Sequence, residues 1–345
     1  MMKSSVMSSF FSLLFLAGLS ITLRAQSSIP RPEGWKDTEG HFINAHGAGI
    51  LYHDGIYYLF GEIKKGSTWR VPGQPWEDYR VPAGGVSCYS SRDLQQWKYE
   101  GVALPSIARP SPEESLGSPV TRDAGHDLDT GRVIERPKVI YNDKTGKFVM
   151  WMHVDAKDYS YSQSGVAVSD RPEGPYKYLH SVKPNGNMSR DMTLFKDEDN
   201  KAYLIYSSEN NNTMQVCLLS DDYLIPTITY SRILINRRRE GPALFKSDGK
   251  YWLISSDCTG WSPNAATYAV ADRPLGPYKE YGNPCTGPGA DTTFGAQSTF
   301  VLPLAGKKDQ FIFMADRWNK LDLERSTYLW LPLTIEEGKP VITGP

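Results

Sequence analysis

Cysteine is scarce in this sequence, and its spacing excludes the commonest cysteine-based sites. The 345 residues include four cysteines, and none of them belongs to a Cys-x-x-Cys pair. A structural zinc site built on paired cysteines is therefore not expected. If the protein is exported to an oxidising compartment, a disulfide is permitted, and we predict that Cys258 pairs with Cys285.

Charge of either sign is not in excess either. The formal net charge is −1, and the basic residues are scattered apart from the three arginines at 237–239. A nucleic acid or an anionic membrane would require a clustered basic surface, which this pattern does not provide. We therefore expect an uncharged partner, and we expect the chain to be monomeric.

Long hydrophobic runs are missing beyond the first two dozen residues. Lys3 precedes the apolar stretch 10–19, and the small residue Ala25 follows at a position that suits signal-peptidase cleavage. The apolar stretch is too short to span a membrane, and no cysteine after the expected cleavage site indicates a lipid anchor. We predict that residues 1–26 are a signal peptide, that residues 27–345 form a single domain, and that this domain is periplasmic or extracellular.

Amphipathic helical periodicity is also absent from the mature chain, which instead repeats short β-branched and aromatic runs. Five similar runs begin at residues 56, 148, 202, 251 and 311, and each follows a segment of turn-forming residues. After a longer first interval, which we attribute to an insertion within residues 67–130, the spacing is that of four-stranded blades. The motif Asp-Arg-Pro-x-Gly-Pro-Tyr-Lys also occurs twice, at 170–177 and 272–279. These repeats predict an all-β protein, a five-bladed β-propeller.

A further short strand precedes each of the five runs, and each of these strands opens with polar residues. In a propeller the first strand of each blade lines the central channel, so these openings should converge on one pocket. Each residue alone could instead cap a strand or pair with a nearby arginine. Together, several carboxylates and an amide at equivalent positions favour an active site. The residues are His46, Glu135, Asp191, Glu240 and Gln297.

At these positions the sequence resembles glycoside hydrolase family 43, whose members are five-bladed propellers that cleave glycosides with inversion. Residues 191–206 resemble the family segment with the aspartate that tunes the acid, and residues 240–256 resemble the segment with the general acid. The resemblance implies that Glu240 is the acid and that Asp191 raises its pKa. A salt bridge between Asp191 and Arg190, or another arginine, is the alternative.

Residues 45–49, 258–266, 283–285 and 293–303 resemble more narrowly the exo-β-1,3-galactanase branch of that family. The family's usual catalytic-base aspartate is replaced by His46 at the start of blade one. In the branch a glutamine or glutamate on the last blade is implicated, which corresponds to Gln297. A neutral amide is a poor base, so we expect Gln297 to orient the water, with Glu135 as the competing candidate.

The same resemblance implies a substrate site and the reaction. Terminal galactose would be released from the β-1,3-galactan backbone of arabinogalactan-type glycans, with no required cofactor. Some family members hold calcium in the channel, although His153 on an inner strand is more typical of a core histidine than of a metal ligand. The expected substrate contacts are His46, Glu62, Arg136, Tyr159, Thr259 and Trp261, with Trp261 as the stacking platform.

Three other interpretations remain open from the sequence. An α-L-arabinofuranosidase or a β-D-galactofuranosidase would have the same fold, because the fold does not fix the substrate. A carbohydrate-binding propeller without activity is compatible with the missing aspartate. A scaffold for protein partners is a third interpretation, but it does not require carboxylates that converge in the channel.

Overall fold

The computed structural model describes Met1 and residues 29–73, 77–109 and 124–344. The predicted signal peptide lies, apart from Met1, outside the described residues. Among the residues described, no helix is long and apolar enough to cross a lipid bilayer. The strands are β1 (His46–His53), β2 (Ile56–Lys64), β3 (Trp69–Arg70), β4 (Tyr79–Arg80), β5 (Ala83–Ser91), β6 (Lys98–Pro105), β7 (Val133–Asn142), β8 (Lys147–Asp155), β9 (Gln163–Ser169), β10 (Lys177–Val182), β11 (Met192–Lys196), β12 (Ala202–Ser208), β13 (Thr213–Leu219), β14 (Pro226–Ile233), β15 (Arg239–Ser247), β16 (Lys250–Asp257), β17 (Thr267–Ala271), β18 (Lys279–Glu280), β19 (Cys285–Thr286), β20 (Gln297–Pro303), β21 (Gln310–Arg317), β22 (Thr327–Glu336) and β23 (Lys339–Thr343).

Short 3₁₀ turns are the helical elements in the described residues. They cover Glu33–Trp35, Ala124–His126, Pro184–Gly186, Ala290–Gly295 and Leu323–Arg325. None is longer than two turns, as expected for a sequence without amphipathic periodicity.

The strands form five blades, which confirms the predicted all-β propeller. Four blades are four-stranded sheets with the orders β1-β2-β5-β6, β7-β8-β9-β10, β11-β12-β13-β14 and β15-β16-β17-β18. The last blade has five strands in the order β20-β21-β22-β23-β19, in which β19 pairs in parallel with β23. The insertion in blade one includes a two-stranded ribbon of β3 and β4.

The hydrophobic core is divided among the five junctions between neighbouring blades. Each junction has its own cluster of buried apolar side chains, which both neighbouring sheets contribute. Trp151 and Tyr206, for example, pack together between blades two and three. Because the side chains of a strand alternate between its two faces, each blade buries one face on the preceding blade and the other on the next blade.

The ring of blades is closed where blade five meets blade one. Among the described residues these two sheets share no strand, so side-chain contacts hold them together. The Tyr328 hydroxyl on β22 donates to the Ile43 carbonyl at 2.7 Å and accepts a hydrogen bond from the Ala45 amide at 2.9 Å. Trp35 and Trp330 pack beside this contact with their ring centroids 5.5 Å apart. The segment before β1 is thereby fixed to the last blade.

Irregular strand openings aim the polar side chains into the channel. The pairing register shifts near the start of β1, β7 and β15, just after His46, Glu135 and Glu240. The next residue in each case has a positive φ, and two of these three are glycines, Gly47 and Gly241. A bulge re-aims the side chains around it, so these openings turn away from the regular sheet face.

The predicted disulfide between Cys258 and Cys285 is wrong, since all four cysteines are free thiols. Cys285 is buried in the core of blade five, whereas Cys258 lies at the wall of the central cavity. The two thiols thus lie in different environments, and they are not bonded to each other.

Candidate active site

Four of the five strand openings meet at a single cavity at the mouth of the channel. The cavity has a volume of about 570 Å³, and Glu135, Asp191, Glu240 and Gln297 line it. These residues come from blades two, three, four and five. The predicted convergence is therefore found for all the openings except the first.

His46, at the opening of blade one, does not line the cavity. Its ring is buried and stacks on Tyr328, with centroids 4.9 Å apart, and its Nδ1 lies 3.5 Å from an Asp316 carboxylate oxygen. Burial lowers the pKa of His46. The expected substrate contact of His46 does not match this position, because β1 turns its opening side chain toward blade five.

Glu240 is a partly buried carboxyl that is held at both of its oxygens. The Gln297 amide donates to Oε1 at 2.9 Å, and the Asn211 amide lies 3.3 Å from Oε2. Burial raises the pKa of Glu240 to about 8, the negative charge of Asp191 adds to this rise, and Arg136 opposes it. The group is therefore protonated at neutral pH, which is the state that a general acid requires.

Asp191 lies between the backbone of blade four and the guanidinium of blade two. Its Oδ2 accepts a hydrogen bond from the Gly241 amide at 2.9 Å and lies 3.0 Å from an Arg136 nitrogen. Arg190 instead bonds to Ser162 and to the Tyr159 carbonyl. Asp191 therefore forms an ion pair with an arginine, as the alternative interpretation expected, but the arginine is Arg136 and not Arg190. The charge of Asp191 nevertheless raises the pKa of Glu240.

Arg136 is a central support of the site rather than an open substrate contact. Arg136 lies within the bulge of β7, and its backbone is in the left-handed region with φ 54°, which is uncommon for a residue other than glycine. Its guanidinium donates to Gln297 Oε1 at 2.6 Å and to the Ser298 carbonyl at 2.8 Å, and it pairs with Asp191. The side chain lines the cavity but is almost completely buried.

Gln297 has a protein partner for every hydrogen bond that its amide can make. Its oxygen accepts from Arg136 and from the Trp318 indole at 2.9 Å, while its nitrogen donates to Glu240 and to the Ser256 hydroxyl at 3.1 Å. Neither guanidinium nor indole N–H groups can act as acceptors, so the orientation of the amide is fixed. A water molecule that Gln297 orients has to displace one of these four partners.

Glu135 is ionised and accepts several hydrogen bonds. The Tyr159 hydroxyl donates to it at 3.0 Å and His153 Nδ1 lies 3.2 Å away. Burial opposes its charge, but the bond to His153 and the charges of His153, Lys64 and Arg80 hold the pKa of Glu135 well below its usual range. Glu135 is therefore a carboxylate at neutral pH.

Glu135, His153 and Asp191 also lie close enough to suggest a metal site, with donor atoms within 4.8 Å of one another. However, both nitrogens of His153 already face carboxylates, those of Glu135 and Asp155, which raise the pKa of His153 to about 9 despite burial. Asp191 is paired with Arg136. The three side chains supply at most part of the six to eight oxygen ligands that calcium takes, and each of them already has a partner within the protein.

The other predicted substrate contacts surround the cavity. Glu62, Tyr159, Thr259 and Trp261 all line it. Burial raises the pKa of Glu62 to about 7, whereas Lys64 opposes this rise. Trp261 packs against Trp318 edge to face, with centroids 5.3 Å apart. An aromatic wall beside carboxylates is the usual way to bind a sugar ring, through its apolar face and its hydroxyls.

Sequence reasoning missed Lys64 and Trp318, which also line the cavity, and Ser256, which bonds Gln297. Lys64 lies two positions after Glu62, so strand periodicity places both on one face and could have identified it. Trp318 directly follows β21, where no pattern in the sequence indicates a cavity residue. The hairpin turn at residues 209–212 also contributes to the site, because its Asn211 reaches Glu240.

Carboxyl groups that meet in one cavity beside an aromatic wall can supply the acid and base that the hydrolysis of a glycosidic bond needs. The family model "Glycosyl hydrolases family 43" matches residues 50–331. The chain belongs to this family.

Solved structures of similar proteins cover nearly all of the chain. A family 43 β-1,3-galactosidase with bound galactodeoxynojirimycin is 42% identical, with a TM-score of 0.78, over 93% of this chain and 98% of its own. An exo-β-1,3-galactanase from Phanerochaete chrysosporium with β-1,3-galactotriose is 35% identical, with a TM-score of 0.76, over 89% of this chain and 64% of its own. Their likeness extends through all five blades.

A curated relative is more distant. The xylan 1,3-β-xylosidase of a Vibrio species is 25% identical over 209 residues, which are 56% of this chain. The matched region spans only 36% of the length of that relative.

Proposed function

We propose that the protein is an inverting, exo-acting glycoside hydrolase that releases terminal galactose from β-1,3-galactan backbones of arabinogalactan-type glycans. The observation that carries the proposal is the Glu240 carboxyl, whose pKa is raised to about 8 and which faces a cavity with further carboxyl groups and an indole wall. The names of the two similar structures, a β-1,3-galactosidase and an exo-β-1,3-galactanase, support galactose as the sugar.

In the proposed reaction Glu240 protonates the oxygen of the leaving sugar as the glycosidic bond breaks. Asp191 keeps the proton on Glu240 until the substrate arrives, because a second negative charge nearby is unfavourable. Water attacks the anomeric carbon from the opposite face, which inverts its configuration.

Two residues compete to orient this water. Gln297 is on the last blade and directly bonds the acid, but its amide is fully engaged within the protein. Glu135 is a carboxylate, which is a stronger base than a neutral amide, although its lowered pKa weakens it as a proton acceptor. Comparing turnover of Gln297→Ala and Glu135→Gln decides between them: near-normal turnover in the first with loss in the second assigns the water to Glu135.

The assay that tests the function uses β-1,3-linked galactobiose and galactotriose. We expect galactose as the first product, with the α-anomer appearing first in proton NMR spectra recorded during the reaction. First release of β-galactose would exclude inversion, and internal cleavage of longer galactans would exclude exo action. The galactofuranosidase, arabinofuranosidase and β-1,3-xyloside alternatives are tested with the corresponding glycosides in the same assay.

The acid assignment is tested with Glu240→Gln on the natural disaccharide. The amide cannot donate the proton, so turnover should fall by roughly 10²–10⁴-fold. A fold that is unchanged by circular dichroism serves as the control. Retained turnover would remove Glu240 from its role, and sugar binding without any product in the wild type would identify a carbohydrate-binding propeller.

We also propose that the chain is exported. The sequence features of residues 1–26 support this, and the function requires access to a polysaccharide. Fractionation of cells that express the full-length chain, followed by N-terminal sequencing of the mature protein, tests both export and cleavage.

A further inference from the structure

Lys64 is a buried cation in the cavity wall that the reaction described above does not use. Its side chain is only slightly exposed, and its Nζ donates to Glu62 Oε2 at 3.0 Å. The same Nζ lies 5.7 Å from the centroid of Trp261 and 5.3 Å from that of Trp318. One ammonium group therefore contacts the carboxylate and both indoles of the proposed sugar site.

The backbone around Lys64 is held in place by a neighbouring side chain. The pairing of β2 with β5 becomes irregular between Glu62 and Lys64. There the Asn44 side chain accepts from the Lys64 amide at 2.9 Å and donates to the Lys64 carbonyl at 2.7 Å. These two bonds replace ladder bonds at the irregular end of β2, so the position of the ammonium group is fixed before substrate binds.

The contacts of Lys64 extend toward the acid. The Trp318 indole under Lys64 donates to Gln297 Oε1 at 2.9 Å, and the Gln297 amide donates to Glu240 at 2.9 Å. Lys64 thus supports the sugar-binding carboxylate directly and the acid through two intervening side chains.

We propose that Lys64 is a positioning residue that keeps Glu62 aimed at the sugar hydroxyls and that holds Trp261 and Trp318 as the wall for the sugar ring. This proposal deepens the proposed function and rests on it for the identity of the sugar. A neutral Glu62 would accept fewer hydrogen bonds from hydroxyls, and a released Glu62 would lose its direction.

The charges that face Glu62 come from several elements. Lys64 is on its own strand, while Glu135, Arg136 and Lys138 are on β7. Burial is the largest influence and raises the pKa of Glu62 to about 7, and Lys64 is the strongest opposing charge. Removing the Lys64 charge therefore raises the pKa of Glu62 further.

The experiment compares Lys64→Met, Lys64→Arg and the matched control Lys65→Met, since Lys65 is the exposed neighbour. kcat and KM are measured on β-1,3-galactobiose between pH 5 and pH 9. For Lys64→Met we expect KM to rise by about tenfold or more, because a buried carboxylate loses its ion-pair partner. The acidic limb of kcat/KM should move to higher pH. Lys64→Arg should restore most of the KM, and Lys65→Met should match the wild type.

A double-mutant cycle with Glu62→Gln separates positioning from folding. If Lys64 acts through Glu62, adding Lys64→Met to Glu62→Gln should raise KM far less than it does alone. A lower Tm with an unchanged acidic limb and additive effects on KM would overturn the proposal in favour of a purely structural role.

A titration without substrate keeps this test separate from the proposed function. Tryptophan emission of the wild type should show a transition near the pKa of Glu62, because Lys64 touches two indoles and bonds that carboxylate. The transition should disappear or move to higher pH in Lys64→Met, which removes the link and raises the pKa of Glu62, and it should stay in place in Lys65→Met, whatever glycan the wild type cleaves. An unmoved transition would overturn the role of Lys64, whereas an inactive wild type would overturn only the galactanase assignment.

Discussion

At the scale of single residues, the site depends on keeping one carboxyl neutral among ionised ones. Glu240 and Glu135 open equivalent strands of different blades, yet their pKa values shift in opposite directions. Burial and the nearby charge of Asp191 raise the pKa of Glu240. Glu135 instead has His153 and the Tyr159 hydroxyl as hydrogen-bond partners, and its pKa is lowered. Opposite environments of this kind are how one site holds an acid and a base at the same pH.

A first prediction concerns the pH dependence of the acid. Activity requires protonated Glu240, so it should fall as the pH rises through about 8. Asp191→Asn removes the like charge and leaves Arg136 less neutralised, and both changes lower the pKa of Glu240. The basic limb of the kcat/KM profile should therefore move to lower pH, with a loss at pH 7.5 of about tenfold or more.

The matched control for this prediction is Asp158→Asn. Asp158 also lines the cavity, but it is an exposed rim residue. Its variant should retain the basic limb of the wild type. If Asp191→Asn left that limb unchanged, the charge of Asp191 would have no part in tuning Glu240.

At the scale of the elements, the irregular openings of the inner strands place these side chains. Gly241 follows Glu240 with φ 59°, and its amide donates to Asp191. A Cβ at this position would lie 2.8 Å from the Ser298 carbonyl oxygen, which belongs to the neighbouring blade. The bulge thus requires glycine for its conformation and for the close approach of blade five.

A second prediction follows for Gly241→Ala. The new methyl group meets backbone and forces β15 away from β20, so Glu240 and Asp191 lose their relative position. We expect a loss of unfolding free energy of about 1–3 kcal/mol and a fall in kcat of at least tenfold. Chemical denaturation and steady-state kinetics measure the two effects.

Gly249→Ala provides the comparison for that variant. Gly249 also has a positive φ, 70°, but its Cβ would meet nothing within 4 Å. Its variant should show about 1 kcal/mol of strain and unchanged kcat. Equal losses of kcat in both variants would show that the geometry of the β15 bulge does not matter to the site.

At the scale of the whole molecule, stability and site geometry both depend on closing the ring. Every blade packs on two neighbours, and the junction of blades five and one relies on side-chain contacts around Tyr328. The same junction holds Asp316, whose carboxylate accepts from the Gly47 amide. An opened ring would therefore disturb the channel centre as well as the core.

A third prediction tests this closure with Tyr328→Phe. The phenyl ring preserves packing, but the Ile43 carbonyl and the Ala45 amide lose their buried partner. We expect a loss of about 1–3 kcal/mol of unfolding free energy and a Tm lower by several degrees. Differential scanning calorimetry measures both quantities.

Tyr52→Phe is the control for ring closure, because Tyr52 is about half exposed on blade one. It should leave the Tm within a degree of the wild type. A Tyr328→Phe variant as stable as Tyr52→Phe would mean that packing alone closes the ring.

Much of the fold was predictable because its repeats are local. Turn residues before each strand run and two-residue alternation mark the blades without knowledge of distant contacts. The fifth strand of the last blade was not predictable, since β19 pairs with β23 about 55 residues later through only two residues on each strand. Such a short parallel pairing leaves no pattern in the sequence.

The repeated strand openings predicted four of the residues that line the cavity, and the family resemblance predicted Glu62, Tyr159, Thr259 and Trp261. Glu135, Asp191, Glu240 and Gln297 share one structural position, whereas Trp318 comes from a segment after β21 with no equivalent in other blades. His46 shares the position but not the cavity, because the bulge in β1 directs it against Tyr328 and Asp316.

The sequence by itself determined the architecture and the set of candidate residues, since strand periodicity and turn chemistry are encoded in neighbouring residues. Only the tertiary structure decided which charges meet. It paired Arg136 with Asp191, occupied the Gln297 amide with four partners and buried Lys64 against Glu62. Those contacts join residues from different blades or depend on burial, and both the distance between charges and their exposure to water determine a pKa.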